Sequence, residues 1–134
     1  MLSEDVRAKI SQDPFASFLG IELLELGEGY SKVTLAVGEH MLNFHGILHG
    51  GVVFSLADAA FGAAANSHGQ VAVALNVSIS FLAPVPLGSR LYAEASEEKL
   101  GRRTALYRLA VTTQGGELVA LCHGTVYRKD QPLC

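Results

Sequence analysis

The 134-residue chain has no tryptophan and only two cysteines, Cys122 inside an apolar stretch and Cys134 at its last position. Two such distant thiols make neither a disulfide framework nor a Cys-x-x-Cys site, so a reducing compartment is expected. Charge is also scarce. Charged residues are 17% of the chain and the net charge is −3, which argues against a surface that binds nucleic acid mainly by displacing counterions. Long hydrophobic runs are missing too: Gly50 to Ala65 is the longest apolar stretch, and Asp58 interrupts it well short of a bilayer span. Residues Met1 to Gln12 carry acidic groups and lack the apolar core and cleavage site of a signal peptide. The expectation is a cytoplasmic protein with no membrane and no nucleic-acid partner.

What is present is apolar. Hydrophobic residues are 49% of the chain, enough to offset ordering entropy without metals or disulfides. A chain of this length buries roughly two thirds of the surface its unfolded form exposes, so one domain over residues 1–134 is expected. Its N-terminal segment, residues 1–14, is expected to be helical. A weak amphipathic helix pattern covers residues 3–17, with a turn signal at Asp13-Pro14.

Ile21 to Leu26 reads as a strand, Gly27-Glu28-Gly29 as its turn, and Tyr30 to Val37 as a second strand in which Val33, Leu35 and Val37 alternate with Lys32, Thr34 and Ala36. From Gly50 to Asn66 the pattern changes. Ala, Leu, Phe and Val occupy every face, no proline intervenes, and Asn66-Ser67-His68-Gly69 closes the segment, which predicts a helix enclosed on nearly all sides. Val71, Val73, Leu75, Val77, Ile79 and Phe81 then alternate strictly with small or polar residues. Pro84, Pro86 and Leu87-Gly88 end that strand. Three more are expected near 90–99, 103–113 and 117–128, giving four strands in antiparallel succession after the helix. The pattern predicts an α+β fold in which a curved sheet wraps one long helix.

Asp58 is the anomaly in that scaffold. It is the only charged residue between His49 and His68, and desolvation of a carboxylate among apolar faces raises its pKa, as a general base or nucleophile requires. A carboxylate that merely caps a backbone group or bonds across an interface would read the same way. The second cluster is Asn43-Phe44-His45-Gly46-Ile47-Leu48-His49-Gly50-Gly51. A Gly pair at a helix start leaves backbone N–H groups free and lets a ligand come close, which suits a developing oxyanion as well as a plain tight turn. His45 and His49 stand four apart, but Gly46 speaks against a helix there and no third ligand is spaced nearby, so no metal site is expected. Seven of the ten Lys and Arg residues follow residue 89, among them Arg90, Arg102 and Arg103, which leaves room for a local anion site or a solvated strand surface.

The run Asn43-x-x-Gly46-x-x-His49-Gly50-Gly51-x-x-Phe54-x-Leu56-Ala57-Asp58, followed by Asn66-x-x-Gly69 and Asn76-x-x-x-x-Phe81-x-x-Pro84, resembles the hotdog thioesterases of the phenylacetate-degradation (PaaI) type. The likeness runs from about Phe15 to Arg128. It implies hydrolysis of an acyl-coenzyme A thioester of aryl-acetyl or medium-chain type, with phenylacetyl-CoA or hydroxyphenylacetyl-CoA favoured. It implies no cofactor, since coenzyme A is part of the substrate.

By the same resemblance Asp58 matches the catalytic carboxylate, Gly50 the glycine whose N–H polarises the carbonyl, Asn43 the residue that orients water or Asp58, and His49 a supporting side chain. Some relatives add a Ser or Thr on the strand facing the site. The matching stretch here is Ala72-Val73-Ala74-Leu75, which leaves nucleophile and general base both open. Gly51, Phe54, Phe61 and Phe81 are candidates for binding substrate and its acyl group, and Arg90, Arg102 and Arg103 for the coenzyme A phosphates. The alternatives are a hotdog dehydratase of 3-hydroxyacyl thioesters and a non-catalytic acyl-CoA binding module.

Eight residues of helix separate Gly50 from Asp58, about 12 Å along the axis. One helix cannot easily place both at one carbonyl. A two-fold dimer with antiparallel helices can, in agreement with the family's composite sites, and further pairing to a tetramer is the family's habit.

Overall fold

A computed structural model describes residues 2–134. Helix α1 (Glu4–Ile10) starts where the Ser3 hydroxyl accepts from the Val6 N–H at 3.2 Å. Helix α2 (Pro14–Leu19) starts the same way, the Asp13 carboxylate accepting from the Ala16 N–H at 3.1 Å, and stops at Gly20, whose φ is 79°. The helix expected over 3–17 is therefore two short helices meeting at an elbow. Pro14 has no N–H to continue α1 and a fixed φ suited to a first helical position, so it starts a helix here instead of extending one.

Strands β1 (Glu22–Gly27) and β2 (Tyr30–Ala36) precede helix α3 (Gly50–Asn66), and strands β3 (Gln70–Phe81), β4 (Arg90–Leu100), β5 (Thr104–Thr113) and β6 (Leu118–Pro132) follow it. All pairings are antiparallel, and the described strands form one sheet in the order β1-β2-β4-β5-β6-β3. The curved sheet around a central helix is the expected α+β arrangement. The succession differs: β3 pairs with β6 at the far edge, and β4 pairs with β2. The connection 82–89, with Pro84 and Pro86, is no hairpin turn. It crosses the mouth of the sheet, where the Val85 carbonyl accepts from the Leu48 N–H at 2.9 Å.

The inner face of the sheet presents Val33, Leu35, Leu91, Ala93, Leu109, Val111 and Cys122 to α3, all buried. Gly124 of β6 leaves room for Phe61 of the helix, since an added Cβ there would lie 2.6 Å from its ring. Ser31 ties the sheet to α3 through a 2.6 Å bond from its hydroxyl to the Ala60 carbonyl.

Strict alternation along β3 does not put its apolar residues on one face. Ala74 pairs with Val126 and Asn76 with Thr125, so Leu75 is a bulge. Partners across a ladder share a face. Val77 and Ile79, opposite Gly124 and Cys122, therefore point inward and pack on the core, whereas Val73, opposite Tyr127, points outward. One extra residue reverses every side chain beyond it.

Helix α3 is not enclosed on nearly all sides within one chain. Gly51, Asp58 and Gly62 are exposed and Ser55 and Asn66 half-buried, a single stripe at helical spacing that the sheet does not cover.

Candidate active site

Asp58 lies midway along α3 on that open stripe. It borders a cavity of about 390 Å³. Ser55, Ala59, Gly62 and Ala63 of α3 form the floor, and residues 9, 10 and 12–16 at the α1–α2 elbow form the opposite wall together with Leu133. The carboxylate reaches solvent, but partial burial, and secondarily the Asp13 carboxylate, holds its pKa above the ordinary carboxylate value. At neutral pH it is a stronger base than a solvated aspartate.

The loop before α3 is built around Asn43. Its Oδ1 accepts from the His45 N–H at 2.9 Å and from the Ile47 N–H at 3.4 Å, and Gly46 closes the turn at φ 78°. With Oδ1 committed to the loop, the Nδ2 donors are the part of Asn43 left for a ligand. His49 is the N-cap of α3: its Nδ1 accepts from the Gly51 N–H at 2.9 Å, which in the neutral ring puts the proton on Nε2. His49 therefore fixes the first turn of the helix.

Gly50 is the first residue of α3, and among the described residues no group accepts its N–H. A Cβ at this position would meet the Phe81 ring at 3.3 Å, so glycine is what keeps that N–H approachable. Asn43, Gly50 and Phe81 border a second cavity of about 370 Å³, with Leu82, Pro84 and Val85 on its rim.

The two groups of residues do not meet within one chain. Asp58 borders the first cavity and neither Gly50 nor Asn43 does; Gly50 and Asn43 border the second and Asp58 does not. Each chain holds two half-sites about 12 Å apart along α3.

The remaining predicted residues scatter. Phe81 is 55% exposed and covers Gly50. Phe61 is 1% exposed and packed edge-on against Tyr107 at 5.7 Å; it is core and borders neither cavity. Phe54 is half-buried and also borders neither, and the Gly51 N–H is taken by His49.

Arg90 bonds the Thr34 hydroxyl at 3.2 Å, beside the Gly50 end of the sheet, whereas Arg102 and Arg103 occupy the β4–β5 turn at the other end, with Arg103 on the Tyr127 hydroxyl at 3.1 Å. One chain does not bring the three together. His45 is exposed in the loop with its ring against Phe44, and among the described residues no three His, Cys, Asp or Glu cluster as metal ligands. Sequence reasoning missed Asp13, Phe15 and Leu133 as walls of the Asp58 cavity. Only the Asp13-Pro14 turn signal pointed at that region.

Comparison with known proteins identifies the family and the fold. Residues 45–120 match the family model described as Thioesterase superfamily. The acyl-coenzyme A thioesterase PaaI of Escherichia coli is 39% identical over 125 residues, covering 93% of this chain and 89% of its own. The solved structure of the E. coli PaaI protein from the phenylacetic acid degradation operon superposes with a TM-score of 0.93 at 38% identity, covering 98% of this chain and 99% of that one. A Streptococcus pneumoniae hypothetical thioesterase solved with coenzyme A superposes with a TM-score of 0.80 at 29% identity, covering 84% and 90%. The chain therefore belongs to the thioesterase superfamily, among its hotdog-fold enzymes of the PaaI type.

Proposed function

We propose that this protein hydrolyses aryl-acetyl or medium-chain acyl-coenzyme A thioesters in a dimer whose sites each combine Asp58 of one chain with Gly50 and Asn43 of the other. The observation that carries this reading is the split of the site: a basic carboxylate borders one cavity and an unpaired helix-start N–H borders another. Two surfaces favour a second copy as the missing partner. The open stripe of α3 is made of small residues that permit close helix contact, and the edge strand β3 leaves Leu75 59% exposed, a row that a soluble edge normally covers. Pairs of dimers would complete the family's tetramer.

In such a site the Gly50 N–H donates to the thioester oxygen as negative charge develops there. Asp58 either takes the proton of a water that attacks the carbonyl carbon or attacks that carbon itself. The tetrahedral centre then collapses, the C–S bond breaks, and coenzyme A leaves as the thiolate. In the second route water cleaves the resulting anhydride. Neither route uses a cofactor. Coenzyme A enters and leaves with the substrate, and its phosphates meet Arg90, Arg102 or Arg103 only where two chains bring the opposite sheet ends together.

The test is release of free thiol from a panel of acyl-CoAs. Asp58→Asn should lower kcat on the order of 10²- to 10⁴-fold without loss of folding. Turnover near wild type in the folded variant would remove Asp58 from the reaction, and hydration of an enoyl-CoA in place of thiol release would make the protein a dehydratase.

A further inference from the structure

We infer that the α1–α2 elbow is the acyl-recognition wall of the Asp58 half-site, with the Phe15 ring as the surface on which an aryl acyl group rests. The inference rests on the thioesterase reading of Asp58 and goes beyond it, because the elbow lies outside residues 45–120, the stretch that matches the family model.

The local sequence fixes this elbow firmly for so short a segment. Asp13 caps α2, Pro14 sets its first φ, Gly20 ends it, and the Ile21 N–H returns to the Ala16 carbonyl at 2.9 Å. These devices hold Phe15 at the rim of the Asp58 cavity, where its ring is nonetheless 59% exposed. A phenyl ring left that open gains little from folding, so its apolar area remains available to a ligand.

The lining of this cavity is mixed. Ile10, Pro14, Phe15, Ala59, Ala63 and Leu133 contribute apolar surface to the same cavity that Asp58 borders. The charged groups that face Asp58 from the elbow are Lys9 of α1 and Asp13 at the start of α2. With Lys9 offsetting one of the two carboxylates the lining stays net negative, which disfavours an acyl group that ends in an anion, and apolar surface with an aromatic ring favours an uncharged aryl one. Within a single chain the cavity of about 390 Å³ has room for such a ring.

The experiment compares kcat/KM for phenylacetyl-CoA with that for acetyl-CoA in wild type and in Phe15→Ala. Loss of one aromatic contact should lower the phenylacetyl-to-acetyl ratio on the order of ten-fold, and Phe15→Tyr, which keeps the ring, should restore most of it. An unchanged ratio overturns the inference, including the case in which Phe15→Ala merely weakens self-association, which would assign the ring to the subunit interface. The same two ligands titrated calorimetrically into Asp58→Asn and Asp58→Asn/Phe15→Ala give the ratio of Kd values without turnover. A thioesterase reading that fails would show as absent thiol release, and a failed elbow would show as equal Kd ratios in the two variants.

Discussion

Gly124→Ala should test how closely α3 is held against the sheet, and through it how Asp58 is placed. Gly124 faces inward from β6, and a Cβ there would stand 2.6, 2.7 and 3.1 Å from three ring carbons of Phe61, where comfortable carbon contacts begin at about 3.5 Å. Phe61 cannot swing away, being 1% exposed and packed edge-on against the fully buried Tyr107. The helix must therefore lift by roughly 1 Å, at an overpacking cost of about 1–3 kcal/mol. For a chain of this size that lowers Tm by about 3–12 °C.

Phe61 lies three residues beyond Asp58 on the same helix, so a lift of that size also displaces the carboxylate, and kcat should fall by up to about 10²-fold. Thermal unfolding of Gly124→Ala, Phe61→Leu and the double variant closes a cycle in which the smaller side chain makes room for the added methyl. A Gly124→Ala protein within about 0.5 kcal/mol of wild type, or two additive substitutions, would refute the reasoning.

Asp13→Asn keeps the cap of α2 while removing a negative charge from the Asp58 cavity. The Asp58 pKa should then fall, and the acid limb of the kcat profile should move to lower pH while staying above the ordinary carboxylate value, because partial burial, the larger cause, persists. A limb that stays put or moves up contradicts the assignment. Burial pushes the Cys122 thiol up to about 11, and Cys134 is exposed. An aromatic disulfide reagent at pH 8 should therefore titrate Cys134 at once and Cys122 only after unfolding; equal rates would show that the core is open.

Where chemistry is local, the sequence was a sufficient guide. The Gly pair and the Asn-Ser-His-Gly stop mark Gly50 and Asn66 as the ends of α3, and they are its ends, because such signals act within one turn. Asp58 stood out because one charge in an apolar helix needs a reason. Where placement depends on partners far along the chain, sequence was a poor guide. Alternation in β3 could not show the bulge at Leu75, nor that β3 would cross to β6, since both depend on a ladder with residues some fifty positions later.

Phe61 and Phe81 look equivalent as letters. Gly124 makes one of them core, and Gly50 leaves the other at a cavity mouth. The elbow's part in the Asp58 cavity was invisible for the same reason: caps and Pro14 announce a short helix but not the surface it docks on. The separation of Gly50 from Asp58 was legible from spacing, because 1.5 Å per residue is a property of any α-helix, and in the structure the two border different cavities.

The most direct test of the composite site mixes two defective chains. Gly50→Pro removes the N–H proposed to meet the oxyanion, at a first helical position after a His49 whose extended ψ of 134° accepts a following proline, and a Cβ there meets only the exposed Phe81. Asp58→Asn removes the carboxylate, and each homodimer should be nearly inactive. In a mixed dimer one site unites the intact Gly50 of one chain with the intact Asp58 of the other, while the second site carries both lesions. Equal co-expression should make about half of the dimers mixed, so about a quarter of wild-type thiol release should return, and about half in the purified mixed species. Folded, verified heterodimers as inactive as their parents would contradict the account, because both groups would then have to act within one chain.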